Sequence, residues 1–305
     1  MKNRTIVIET EEKKVGEERT LERFKRRIFS LTNLPSVIYL LILFYIPVAV
    51  LFGISFTKTI RYRIVWTITL ENYIYVLTNP LYQKIFLNSL IIVTTAVAML
   101  LLIGYPIAYY LARMNQKWGD KIILFMIIPV EINYLIRIFA WRTILGPVGI
   151  LNSFMMNIGL IGEPIGFLFY SWFAVVIVTI HEWLPYVVIP LYVSLKGIPR
   201  SIYEAAYDLG ASRVKTFLTI TLPLSKAGFL SALFLVYIPT LGEFAIPALV
   251  GGTSGVMIGN LIDDAFMHQQ DWSLGSAISF VLLGLSLLIT ALMVKILGYE
   301  SLYQR

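Results

Sequence analysis

The chain has 305 residues, 58% of them hydrophobic and 14% charged, with 25 Lys/Arg against 18 Asp/Glu and a formal net charge of +7. Its mean hydropathy is +0.77, which excludes an ordinary soluble domain or a disordered chain and points to a protein crossing a bilayer several times. The absence of cysteine removes disulfides, thiol catalysis and Cys-ligated metal sites.

Residues 1–34 form a basic N-terminal segment taken as cytoplasmic. Within it, 11–27 have the pattern of a surface-lying helix, with Leu21, Phe24 and Ile28 on an apolar side among Arg23, Arg26 and Arg27. The rest, 35–305, is expected to be one all-α membrane domain, because a bilayer leaves no water for unpaired backbone groups. A span needs about 20 mostly apolar residues, and six segments qualify, near 35–56, 86–112, 121–144, 167–194, 228–250 and 276–297. The fourth is long and carries Pro185 and Pro190, which predict a kink. There is no low-complexity linker and no internal repeat.

The basic residues orient these spans. Nine Lys/Arg fall before residue 35, three in 113–121, five in 195–227 and two from Lys295 onward, against four in 57–85 and none in 145–166 or 251–275. The excess places both termini and the 195–227 loop in the cytoplasm. The same dispersal explains the net charge through anionic lipid, so it does not indicate nucleic-acid binding. Asp263, Asp264 and Asp271 read as a solvated acidic loop on the opposite side.

No phosphate-binding G-x-x-x-x-G-K-[ST] run occurs, and His181 and His268 stand far apart without metal-ligand spacing. The chain is therefore expected to hold no cofactor or metal and not to be an enzyme. Ionisable residues inside spans are costly and face a cavity or a partner. Glu131, Arg137, Glu182 and Glu243 are such residues, with Tyr134, Trp183, Tyr186 and Phe244 close by in sequence. Arg137 lies six residues from Glu131, off the helical i+3/i+4 face, so each is expected to find its partner on another helix or in water. Carboxylates among aromatic rings suit an organic polycation through ion pairs and cation–π contacts. The alternative is that the carboxylates only hold helices together. His181 reads as a structural hydrogen-bonding residue.

Between two apolar runs, 204–223 reads EAAYDLGASRVKTFLTITLP. Ser201 and Glu204 have capping-box spacing. Ile202, Ala205, Ala206 and Leu209 then fall on one helical face, and Gly210 suits a left-handed stop. Ser212 can cap a second helix with Val214, Phe217, Leu218 and Thr221 on one side, limited by Pro223. The prediction is a helix–turn–helix projecting from the membrane.

The fixed positions Glu204, Ala205, Ala206, Gly210, Ile220, Leu222 and Pro223, with three, nine and one residues between them, resemble the cytoplasmic loop of permeases of ATP-driven (ABC) importers, without departure. Segments 132–152, 184–212, 237–252, 257–262 and 271–277 resemble the spermidine/putrescine branch, and the likeness runs from about Pro35 to the last span. The resemblance implies a type I importer permease fold with six transmembrane helices and a coupling loop at 199–223, in a prokaryotic inner membrane. It implies as partners an ATPase dimer carrying ATP and Mg, a second homologous permease and an extracytoplasmic solute-binding protein. The cargo it implies is a polyamine; a permease for iron, opines or another small solute is the alternative. An ion-coupled secondary transporter is the rival from another class. It would use the intramembrane carboxylates as a proton relay, but it lacks inverted halves with matching broken helices.

Overall fold

A computed structural model describes residues 34–297; the surface helix expected at 11–27 lies outside them. The chain divides into two compact units, one ending at Ile54 and the next beginning at Ser55. The first holds all but the last residue of helix α1 (Leu34–Ser55), with a π-helical stretch at Leu41–Tyr45. Its 22 residues extend about 33 Å, enough to cross a hydrocarbon core.

The second unit opens with a small antiparallel hairpin, β1 (Lys58–Ile60) and β2 (Arg63–Val65), paired Lys58↔Val65 and Ile60↔Arg63. Arg61 and Tyr62 at its tip both have positive φ, 49° and 65°, which matches the right-handed twist of a two-residue hairpin turn. Thr57 and Thr59 fasten it to Ser273 through hydroxyl contacts of 2.8 and 3.0 Å. Helix α2 (Glu71–Thr78) leads through the Asn79 cap, whose side chain accepts from the Leu81 amide, into the 34-residue α3 (Pro80–Arg113). Then come α4 (Gln116–Ile127), α5 (Tyr134–Leu145), α6 (Ile150–Asn157) and α7 (Trp172–Lys196). The chain continues through α8 (Arg200–Asp208), α9 (Arg213–Leu224), α10 (Lys226–Leu241), α11 (Ile258–Asp263) and α12 (Trp272–Leu297).

The core is a cluster of three helices. α7 packs along both α3 and α10, which also touch each other. Val178, Val187 and Leu191 of α7 are fully buried among Val93 and Leu100 of α3 and Ala232 and Val236 of α10. Close approach depends on small residues, as it does between helices in lipid. A Cβ at Gly104 would sit 2.7 Å from Val187 Cγ1, and one at Gly228 would collide with Ser194 and the Pro190 carbonyl. Leu283, Leu287, Leu288 and Leu292 of α12 point outward, the expected lipid face of a bundle whose surroundings are themselves apolar.

Among the described residues, five helices are long and apolar enough to cross a membrane, or six if α9 and α10, which meet at 61°, count as one. Two predicted spans need correction. The segment 121–144 is broken: α4 stops at Ile127, a 3-10 turn runs Ile128–Glu131, and a fresh helix starts at Tyr134. Pro129 and the Asn133 side chain, which accepts from the Leu135 amide at 2.9 Å, make that break; the span-length unit here is Tyr134–Asn157. The segment 228–250 is broken too, since α10 ends at Leu241 and a π turn occupies Pro247–Gly251. By contrast α7 is one helix through Pro185 and Pro190. The acidic loop is also corrected. Asp263 and Asp264 lie in short helical turns, and Asp271 accepts from the Leu274 amide at the start of α12.

Candidate functional site

The two breaks meet beside α7 and, with it, line a cleft of about 600 Å³. Its walls carry Glu131, Tyr134, Glu182, Trp183, Tyr186, Glu243 and Phe244 together, with Arg137, Asn133, Pro239 and Gly242 among the remaining lining residues. Non-helical backbone at membrane depth is tolerable where it lines a cavity, and residues of both breaks line this one.

The carboxylates are not equivalent. Glu243 is spent on structure: Oε1 accepts from the Ala245 and Ile246 amides at 2.8 and 3.2 Å, bridging the break after α10. Its Oε2 accepts from the Tyr134 hydroxyl at 2.5 Å, which ties this break to the one before α5. Glu182, with a side chain 1% exposed, pairs with Arg137 on α5 at 2.9 Å. The guanidinium lies close to the carboxylate, yet neither Glu182 oxygen receives a directed hydrogen bond. A second Arg137 nitrogen reaches the Pro129 carbonyl at 3.5 Å. Each of these two groups thus finds its partner on another helix. Glu131 is exposed at the cleft and makes no ion pair or hydrogen bond among the described residues. His181 packs edge-on against Trp141 and lies 3.4 Å from Glu182, pointing half outward. Sequence reasoning misses Asn133 and flags Arg137 only as an intramembrane charge; the spacing of Pro129 and Asn133 is the available signal for the break that brings both to the cleft.

The second candidate site is the hairpin α8–α9. Gly210 has φ +77° with open space around it, and Ser212 accepts from the Lys215 amide at 3.3 Å. The capping box does not form, because Pro199 takes the cap position and places Ser201 inside the first turn. The predicted apolar face is mostly turned away from the bundle: Ile202, Ala205 and Leu209 are exposed, Leu209 at 88%, while Tyr203 and Ala206 are buried. Glu204, Leu222 and Pro223 are exposed, and Ile220 is half-buried. At the same end of the bundle, Asp120 accepts from Lys196 at 2.6 Å and from the Tyr192 hydroxyl at 2.7 Å, pinning α4 to α7. Those two bonds hold the Asp120 carboxyl below its usual range, the lysine contributing most.

Residues 104–298 match the family of binding-protein-dependent transport system inner membrane components. The chain is 36% identical over 255 residues to the spermidine/putrescine transport system permease protein of Salmonella typhimurium, covering 82% of this chain and 88% of that protein. The corresponding Escherichia coli protein is 35% identical, at 82% and 92% coverage. The fold is shared with a chain of a bacterial alginate ABC transporter in complex with a periplasmic protein bound to an alginate pentasaccharide. That match has a TM-score of 0.69 at 18% identity, covering 90% of this chain and 97% of the other.

Proposed function

The chain belongs to the binding-protein-dependent transport inner membrane component family, and from that premise we propose that this ABC importer permease carries a polyamine of the spermidine/putrescine class. The cleft supports the cargo. It gathers three carboxylates and four aromatic side chains around two helix breaks, and the curated relatives transport polyamines. Because Glu243 and Glu182 are engaged by Tyr134, backbone amides and Arg137, Glu131 is the carboxylate free to meet an ammonium group. Tyr134, Trp183, Tyr186 and Phe244 supply ring faces for the methylene chain and for cation–π contact. The rigid pairs shape the cleft; Glu131 recognises.

The hairpin α8–α9 docks a separate ATPase subunit that binds ATP and Mg. Exposed Ile202, Ala205 and Leu209 offer it an apolar face, small at its middle, with Glu204 beside them. A second permease completes the pathway between two subunits, and a binding protein delivers cargo on the side opposite the hairpin. The excess of basic residues supports a cytoplasmic hairpin and cytoplasmic termini. ATP closing the ATPase dimer moves the hairpin, and the cleft changes access as the helix pairs shift. Only differential affinity of the ATPase for the two conformers can drive this, about 5.5 kcal/mol for a swing from 1:99 to 99:1.

The test is ATP hydrolysis and uptake by the complex in lipid, with its binding protein, offered spermidine, putrescine or a neutral solute. Stimulation by a polyamine, weakened in Glu131→Gln and abolished for uptake in Glu204→Lys, is the expected result. Stimulation by a different solute alone would keep the permease and discard the polyamine. Normal uptake in Glu204→Lys would remove the hairpin from its docking role.

A further inference from the structure

The last turns of α3 carry Tyr105, Tyr109 and Arg113 at i, i+4 and i+8, one stripe on one face of a continuous helix. Each touches the hairpin or the bend that follows it. The Tyr105 hydroxyl lies 2.7 Å from Ser225 Oγ; Ser225 is fully buried and sits where α9 turns by 61° into α10. Phe217 of α9 packs edge-on against both tyrosine rings, with centroids 5.7 and 5.8 Å away. The Arg113 guanidinium carbon stands 3.5 Å from the centre of the Tyr203 ring on α8 and 4.7 Å from that of Tyr109. One Arg113 Nη atom and the Tyr203 hydroxyl are buried without a hydrogen-bond partner, and Arg113 makes no ion pair among the described residues. The cation is thus held by ring faces and not by a carboxylate.

We infer that the Tyr105–Tyr109–Arg113 stripe is the receiver of the docking hairpin's movement, with Arg113, clamped between Tyr109 and Tyr203, as the positioning residue that ties α8 to α3. This rests on the hairpin being the ATPase-docking element. Without the clamp, α8 is joined to the bundle chiefly through the chain on either side of it, α7 and α9, and a push on α8 can be absorbed by the left-handed turn at Gly210. With the clamp, the push reaches α3, which packs along α7 beside the cleft. A ring-face contact suits a moving joint because it keeps its attraction while the guanidinium slides across the ring, where a bidentate ion pair would break.

The experiment uses the full complex with its binding protein in lipid, measuring ATP hydrolysed per molecule of whichever solute stimulates the wild type. A benzophenone on a single cysteine at Leu209 reports contact with the ATPase; the chain has no cysteine of its own. Arg113→Met and Tyr203→Leu should keep the Leu209 cross-link and hydrolysis while raising the ATP cost per solute about tenfold. Arg113→Lys, which keeps a cation, should recover most of the coupling, and Tyr203→Phe should match the wild type because its hydroxyl has no partner. A wild-type ratio in Arg113→Met, equal loss of hydrolysis and uptake, or a Tyr203→Phe defect as large as that of Tyr203→Leu would each overturn the clamp. Absence of the cross-link in the wild type would overturn the docking assignment itself, a different failure from an unchanged ratio with the cross-link intact.

Discussion

Replacing Glu243 with alanine separates a structural brace from a cargo-binding carboxylate. The side chain accepts from two amides, at 2.8 and 3.2 Å, and from the Tyr134 hydroxyl at 2.5 Å. Interhelical polar bonds in membrane proteins contribute on average about 0.6 kcal/mol, about 1.7 at most. Leaving a buried donor without an acceptor costs about 1–3 kcal/mol. Three donors are orphaned at once, and the residue is 9% exposed, so some water can reach them; about 3–5 kcal/mol is the expected loss. Glu243→Gln keeps an acceptor oxygen and should lose about 1–2 kcal/mol. At roughly 2–4 °C per kcal/mol, the alanine variant should melt on the order of 10 °C lower. The assay is thermal unfolding followed by tryptophan fluorescence in lipid nanodiscs, run as a double-mutant cycle with Tyr134→Phe. The double variant should lose less than the sum of the singles, because they remove one shared bond. If Glu243→Ala melts like the wild type and only cargo-stimulated hydrolysis fails, the brace reasoning is wrong and Glu243 serves the cargo.

Removing one member of the Arg137–Glu182 pair leaves a buried charge unpaired and should cost about 3–5 kcal/mol, whereas Arg137→Met with Glu182→Leu should recover much of it; chemical denaturation in nanodiscs would show the order, and single variants as stable as the wild type would refute it. Gly228→Val should block folding, since even a Cβ there collides with Ser194 and Pro190, while Gly284→Ala, with open space around it, should express normally; detergent-extracted yield checks both. Asp120 has a depressed pKa from Lys196 and Tyr192, so its tie is fully present above the ordinary carboxylate pKa of about 3.9 and is lost as pH falls through the lower folded value. The difference in Tm between wild type and Asp120→Asn should therefore stay constant from about pH 8 to pH 5 and shrink only in stronger acid; a change near pH 6 would implicate another group.

The membrane-spanning helical class, four of the six spans and the helix–Gly–helix hairpin were legible in the residues themselves, because they depend on local quantities: run length of apolar side chains, the positive φ that Gly210 accepts, the Ser212 cap. The intramembrane carboxylates and rings were legible as a set, since burial of an ionisable group is improbable without a role. What they do for each other was not. Which carboxylate is engaged depends on Tyr134 meeting Glu243, and Arg137 meeting Glu182, contacts between residues far apart in the chain, and no local period encodes that. The two helix breaks escaped the hydropathy pattern because backbone amides freed by a break are invisible to it. Their partners, Asn133 for one and Glu243 for the other, only become partners once the chain is folded. Likewise the face of α8 was readable as apolar, but that Tyr203 and Ala206 turn inward while Ile202 and Leu209 turn outward was set by Arg113 and the end of α3. Short-range sterics and solvent preference determine the elements; long-range pairing decides which surface of each is left to act.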